Sequence, residues 1–448
     1  MVNRIFRGLW MAVLTTWLAG CGGMGGEDPV TGITASNFEY GQMATLTLTG
    51  NALDNAISVT SDKCSLMSLG NATSPKTRQA NCLVSGTGTA FFTVKSSAGY
   101  VVYTTTLQIP EPVTGISASN VAFGQQATVT LTGTPQNSAI ALKSDKCINI
   151  SLTTASSTNG TTAPRTATCT VVGTGPITFS VAGTYSANAL YSTKLNVTDP
   201  AQIVTYNNKY SQKTYVAFPT NGLSNLQLSS TGCDTITLDD GTYTNARTAT
   251  CTLSQTGTVQ FDVKRADNTV ALTTSIQVPQ PQVTFKTSLG DFVMELNPTA
   301  APLTVKNFMS YVNKSPSFYN GTIIHRVEPS GNYVVQGGGF TSGMVAKTGQ
   351  SDPISLESNN GLKNLKYSVG MARTSLFNSA TSQFYVNLRD NTSFDYVNAN
   401  NPGYAVFGNI VSGTNVIDTI ATKPTGTLNG YANVPVTDIT VTSATQTQ

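Results

Sequence analysis

The chain has 448 residues, too many for one ordinary domain of roughly 100–200. Only 10% are charged and the net charge is +3, which argues against a polybasic nucleic-acid binder, a charge-rich disordered tail and a long coiled coil. One histidine, His325, rules out a His-rich zinc site, and any Ser-His-Asp triad would have to use it. Alternating runs of Thr, Val, Tyr and Phe predict a mainly β chain.

The N-terminus reads as an address. Arg4 and Arg7 precede an apolar run from Gly8 to Gly20. That run is shorter than the ~20 residues a spanning helix needs and fits a secretory core segment. It ends in Leu18-Ala19-Gly20-Cys21, which resembles the lipobox of bacterial lipoproteins. The resemblance implies that 1–20 is a signal peptide, that Cys21 is lipidated and anchors the chain to a membrane, and that 21–28 is a Gly-rich tether. Gly22 after the cysteine, rather than Asp, points to the outer membrane of the envelope, facing the periplasm or the cell surface.

A period of 83 residues follows. Pro29-Val-Thr-Gly-Ile recurs from Pro112, Gly41-Gln42 at Gly124-Gln125, and Ser61-Asp-Lys-Cys64 at Ser144-Asp-Lys-Cys147. A weaker third copy keeps Arg247-x-Ala-x-Cys251, matching Arg78-x-Ala-x-Cys82 and Arg165-x-Ala-x-Cys169. Repeats of domain length are tandem modules, here 29–111, 112–200 and 201–278. Short alternating strands such as Thr45–Thr49, Ala90–Val94 and Tyr100–Ile109 predict small antiparallel β-sandwiches, Ig-like in architecture. With Cys21 set aside, the economical pairing of the other cysteines is Cys64–Cys82, Cys147–Cys169 and Cys233–Cys251, one bond per module. The recurring Arg reads as structural packing beside the bond rather than as a ligand contact. The modules carry no carboxylate cluster, phosphate loop or basic stripe, and read as a stalk or a binding surface. Pro279-Gln-Pro-Gln282 reads as a short stiff linker.

The texture changes in 283–448. Val283 to Leu296 reads as a hairpin turning at Leu289-Gly-Asp291, and Leu303–Val312 as an amphipathic helix with Val305, Phe308 and Val312 on one face. A second helix is predicted over Gly413–Ala421. Between them lie Phe318-Tyr-Asn-Gly321, His325-Arg326-Val327, Gln336-Gly-Gly-Gly339, Met371-Ala-Arg-Thr374, Ala380-Thr-Ser-Gln383-Phe384 and Tyr404-Ala-Val-Phe-Gly408. In this order the motifs resemble the cyclophilin-type peptidyl-prolyl isomerases, most closely their bacterial periplasmic branch.

The resemblance implies a closed eight-stranded β-barrel capped by two helices, and isomerisation of X-Pro bonds in unfolded or exported polypeptides, without cofactor or metal. It casts Arg326 as the catalytic arginine and Gln336 as its orienting partner. Tyr333, Val334, Ala372, Arg373, Gln383, Tyr385, Phe394 and Tyr404 fall at substrate-binding positions. His325 is expected as a packed, hydrogen-bonded neighbour of Arg326. This sequence departs from the family in three places. The loop Glu328–Asn332 makes the Arg326–Gln336 interval two residues longer, Ile324 replaces a Phe, and Ser393-Phe394-Asp395 replaces Trp-Leu-Asp or Phe-Leu-Asp. At the last, either Ser393 opens the pocket wall or Phe394 moves over to fill it. The alternative reading is a catalytically weak binder of proline segments, serving as a chaperone or adhesin scaffold.

Overall fold

The computed structural model describes residues 29–448 apart from 52, 54–55, 134–138 and 155–163. The predicted signal peptide, Cys21 and the tether lie outside the described residues. The chain divides into two compact units after Pro200. Among the described residues no helix is long and apolar enough to cross a membrane.

The first unit holds two blocks of seven described strands, and the second unit opens with a third such block. In the first block the strands are Gly32–Ser36, Met43–Thr49, Ile57–Ser61, Cys64–Ser74, Thr77–Val84, Gly88–Ser96 and Val101–Ile109. The first, second, fifth and fourth form one antiparallel sheet, in that order, and the third, sixth and seventh form another. Leu46, Leu48 and Ala80 from one sheet meet Val59, Phe92 and Val94 from the other in a single buried cluster. The other two blocks show the same sheet order. Disulfides join Cys64 to Cys82, Cys147 to Cys169 and Cys233 to Cys251, each tying the fourth strand of a block to the fifth.

The repeated sequence signatures have local causes. Asp62 Oδ1 accepts the Phe91 N–H at 2.8 Å, Asp145 Oδ1 accepts that of Thr178 at 2.8 Å, and Thr231 Oγ1 accepts that of Gln260 at 3.1 Å. In each block this contact reaches from the turn before the cysteine to the sixth strand. The recurring arginines also act locally. Arg78 Nε donates to Gly70 O at 2.8 Å, Arg165 Nε donates to Thr153 O, and Arg247 pairs with Asp239.

In the second unit, residues 282–446 form the barrel. Its strands are β1 (Gln282–Thr287), β2 (Gly290–Leu296), β3 (Thr322–Glu328), β4 (Val334–Thr341), β5 (Ser368–Met371), β6 (Phe384–Asn387), β7 (Val406–Ser412) and β8 (Ile439–Gln446). They run β3-β8-β1-β2-β7-β5-β6-β4, and pairing of β4 with β3 closes the ring. Helices α1 (Pro302–Val312) and α2 (Thr414–Ala421) bury Val305, Phe308 and Val312, and Val416, Ile417 and Ile420, in the barrel's apolar cluster. Pro302 sits in the first turn of α1, where a missing N–H costs nothing. The Glu357 carboxylate accepts the free N–H groups of Leu303 and Thr304, at 3.0 and 2.7 Å. Phe285 stacks on Phe292 with centroids 5.3 Å apart, and Phe308, Tyr319, Phe384 and Phe407 complete an aromatic interior.

Residues 279–282, expected as a stiff linker, are packed. Pro281 is buried, its carbonyl accepts the Leu296 N–H at 2.9 Å, and Gln282 already belongs to β1. Buried side chains of the third block, including Val259, Phe261 and Val278, belong to the same apolar cluster as the barrel core. Gln446 Nε2 donates to Tyr210 O at 2.9 Å, and Gln212 Nε2 donates to Gln446 Oε1 at 2.8 Å and to Asn313 Oδ1 at 2.9 Å.

Candidate active site

The site follows from strand register. Directly opposed residues of an antiparallel pair share a face, and neighbours along a strand alternate. Val327, Val335, Val386 and Val369 are opposed across β3, β4, β6 and β5, and all are buried in the barrel core. One position along, Arg326, Gln336, Tyr385 and Gly370 form a second row, on the outer face. A register shift between Ile324 and Arg326 puts an extra residue in β3 at His325. Without that bulge Arg326 would fall on the core side of the strand. The imidazole is buried instead, edge-on to Phe340 at 4.8 Å.

Hydrogen bonds link the outer row. Arg326 Nη1 donates to Gln336 Oε1 at 3.3 Å, and Gln336 Nε2 donates to Gln383 Oε1 at 2.9 Å. Arg326 Nη2 also donates to the Glu328 carboxylate in an ion pair. The arginine side chain stays 33% exposed, so the guanidinium is fixed yet open to a ligand. A Cβ on Gly339 would lie 2.5 Å from the Gln383 amide, so only glycine leaves that amide its place.

Beside this row, three rings converge. Tyr385 meets Phe394 and Tyr404 edge-on, each with centroids 6.0 Å away, and Phe394 lies 5.1 Å from Tyr404. Burial pushes the Tyr385 hydroxyl well above its ordinary pKa, so it stays protonated, and it donates to Asn364 Oδ1 at 2.7 Å. Arg373 lies over Tyr404 at 4.4 Å and over Phe377 at 5.2 Å, and its Nη2 donates to Gly403 O at 2.8 Å. Ala372 N–H donates to Gln383 O at 2.9 Å, holding that segment along the end of β6.

The expected residues are therefore brought together unequally. Arg326, Gln336 and Gln383 form one bonded line, and Tyr385, Phe394, Tyr404 and Arg373 one aromatic-cationic group. At the third departure Phe394 packs against Tyr385 and Tyr404, while Ser393 is exposed. Val334 shares the outer face of β4 and is buried. Tyr333 leaves the group: its ring lies 3.4 Å below the Arg389 guanidinium, on backbone with φ 52°. His325 is packed as expected; among the described residues its Nδ1 has no hydrogen-bond partner, while hydrogen bonding with the Ile323 backbone and the Gln383 side chain partly opposes the effect of burial. Burial, chiefly, lowers its pKa to about 4.

Residues 282–446 match the family described as cyclophilin type peptidyl-prolyl cis-trans isomerase/CLD. A peptidyl-prolyl cis-trans isomerase of Acinetobacter baylyi is 45% identical over 163 residues, which is 36% of this chain and 82% of that protein. Peptidyl-prolyl cis-trans isomerase B of Escherichia coli is 42% identical over 168 residues, covering 36% of this chain and 98% of its own length. The chain belongs to the cyclophilin-type peptidyl-prolyl cis-trans isomerase family. The similarity covers the barrel, whose closed eight-stranded ring is the fold expected of a cyclophilin.

Two parts of the candidate site carry no clear mark in the sequence. Asn364 Oδ1 accepts both the Tyr385 hydroxyl and the Asn387 amide, and its own N–H groups reach Asp395 Oδ1. It lies in an irregular stretch with no periodicity to mark it. In the sequence Glu328 reads only as part of a longer loop. Its position two residues after Arg326 on a strand was the available signal, because that spacing puts both on one face.

Proposed function

We propose that Arg326 is the catalytic residue of an envelope-anchored isomerase acting on X-Pro bonds of exported polypeptides. An X-Pro bond turns over a barrier near 18–20 kcal/mol, in tens to hundreds of seconds when uncatalysed. No bond is made or broken, so the chain need only hold the proline and favour the twisted amide over both planar isomers. Twisting returns a lone pair to the proline nitrogen, and a fixed cation beside it stabilises that state. Arginine suits, being always charged with donors in a planar fork. The observation that carries this reading is the line Arg326–Gln336–Gln383, which leaves the arginine one-third exposed in the same outer row as Tyr385, the ring that Phe394 and Tyr404 pack against. In this reading Gln336 and Gln383 orient the arginine and the substrate backbone. The ring group and Val334 receive the proline, and the Ala372–Arg373 segment receives the chain beside it.

The upstream blocks serve as a stalk of Ig-like sandwiches. Support comes from the sheet order first-second-fifth-fourth against third-sixth-seventh, the arrangement of seven-stranded immunoglobulin domains. Lipidation at Cys21 anchors that stalk, on the strength of Leu18-Ala19-Gly20-Cys21.

Isomerase activity of the full chain on an X-Pro peptide, with Arg326→Ala beside it, tests the catalytic part. We expect a loss of about 10²–10³-fold, the scale for removing one preorganised donor. An Arg326→Ala protein of near wild-type rate would sink the assignment. Fractionation of cells carrying Cys21→Ser tests the anchor. The variant should leave the membrane fraction, and retention there would refute lipid anchoring.

A further inference from the structure

The geometry points to Glu328 as a positioning residue for Arg326, the acidic half of a clamp that the long loop after β3 is folded to hold. Glu328 ends β3 two residues beyond Arg326, so the two side chains leave the strand on the same face. Glu328 Oε2 takes Arg326 Nη2 and also accepts the Asn332 side-chain amide at 3.2 Å. Glu328 Oε1 accepts the Asn332 backbone N–H at 3.1 Å. The loop 329–332 is thus wrapped around this carboxylate. Gly331 makes the wrap possible. It sits at φ 77°, and a Cβ there would come within 2.6 Å of Glu328 Oε1.

The guanidinium is then held at two corners, Nη2 by Glu328 and Nη1 by Gln336. Two fixed corners set the plane of a rigid fork, whereas Gln336 alone would leave the group free to swing about one bond. Orientation is what such a cation must supply, since a displacement near 1 Å costs about 10²-fold in rate. The carboxylate also offsets part of the arginine's charge, an effect that opposes catalysis. Glu328 keeps only 15% exposure and is bonded through both oxygens, so its position is the more determined of the pair. Positioning therefore outweighs neutralisation.

This inference rests on Arg326 being the catalytic residue, and the test keeps the two apart. In the full chain, Glu328→Ala should lower kcat about tenfold and leave KM within about twofold, part of the 10²-fold cost of misplacement. Glu328→Gln keeps one acceptor oxygen, enough for Arg326 Nη2 and the Asn332 side-chain amide, but turns an NH2 toward the Asn332 N–H and loses that loop bond, so its rate should fall between those of Glu328→Ala and the wild type. In an Arg326→Ala background, Glu328→Ala should change the residual rate, read by exchange NMR, less than about twofold, because its partner is gone. A kcat in Glu328→Ala equal to or above wild type would make Glu328 a brake and overturn the proposal. So would a tenfold loss that persists without Arg326, which would mark a purely structural loop. Asn332→Ala loosens the loop while sparing the ion pair, and should cost less than Glu328→Ala; the reverse order would also overturn the proposal. If Arg326→Ala itself keeps the wild-type rate, the underlying catalytic assignment fails, whatever Glu328 does.

Discussion

Tyr385 and Gly370 share one space. They face each other across β6 and β5, and the tyrosine ring carbon Cζ lies 2.2 Å from where a Cβ on Gly370 would sit. The ring that Phe394 and Tyr404 pack against exists because β5 has no side chain at that position. Gly370→Ala should therefore displace Tyr385 and break its bond to Asn364. We expect a loss of about 1–3 kcal/mol in barrel stability from overpacking, and a rise in KM for X-Pro peptides. Urea unfolding and steady-state kinetics check both, and an unchanged KM would show that the ring group is not the proline pocket.

Gln383 is the end of the bonded line from Arg326. Gln383→Leu leaves Gln336 Nε2 without its acceptor, while Gln336 can still reach the arginine. One such bond is worth about 0.5–1.5 kcal/mol, so kcat/KM should fall by up to about tenfold, well short of the Arg326→Ala loss. A loss as large as that of Arg326→Ala would mean Gln383 touches the reacting amide itself.

Much of this was legible in the sequence because local patterns dictate local structure. Alternation in 45–49 and 90–94 marked strands, and Pro302 with the spacing of Val305, Phe308 and Val312 marked α1. The offset between cysteine pairs announced the disulfides, since each bond joins neighbouring strands of one copy. What escaped was non-local. The bulge at His325, which turns Arg326 outward, is a property of the pairing of β3 with β4 and leaves no mark on either strand alone. Tyr333 looked like a pocket residue by position, but the longer loop before it delivers it at φ 52°, onto Arg389. The stretch 279–282 looked like a spacer because Pro and Gln are common in spacers. Composition cannot reveal that the elements on either side share a core.

That shared core predicts that the barrel depends on its upstream neighbour. Gln446 of β8 bonds Tyr210 and Gln212, and Lys306 of α1 pairs with Asp234 at 3.2 Å. The exposed pair contributes little, so the apolar cluster is the main term. A chain cut to 281–448, which keeps β1 whole and the Pro281 carbonyl that bonds Leu296, should melt several degrees below 201–448, since about 1 kcal/mol moves the midpoint by roughly 2–4 °C at this size. Thermal scans of the two pieces at matched concentration decide the point. Equal midpoints would show that the third block adds nothing to barrel stability.

His325 gives the barrel an acid sensitivity with a defined sign. Burial first, with the Arg326 charge adding, lowers its pKa from 6.5 to about 4. Between those values the unfolded chain binds a proton that the folded chain refuses. Folding stability should therefore fall as pH drops from about 6.5, and this contribution should level off below about 4. At 1.36 kcal/mol per pKa unit, the full loss is on the order of 3 kcal/mol. Carboxylates titrate across the lower part of the same range, so the difference from His325→Phe is the quantity to measure. That variant keeps a ring against Phe340 and removes the titration. Urea midpoints of both proteins, read by limited proteolysis of the barrel between pH 7.5 and 4.5, should diverge steadily, with the wild type losing more. Parallel lines would mean that the imidazole accepts its proton in place, at the Nδ1 that has no partner among the described residues.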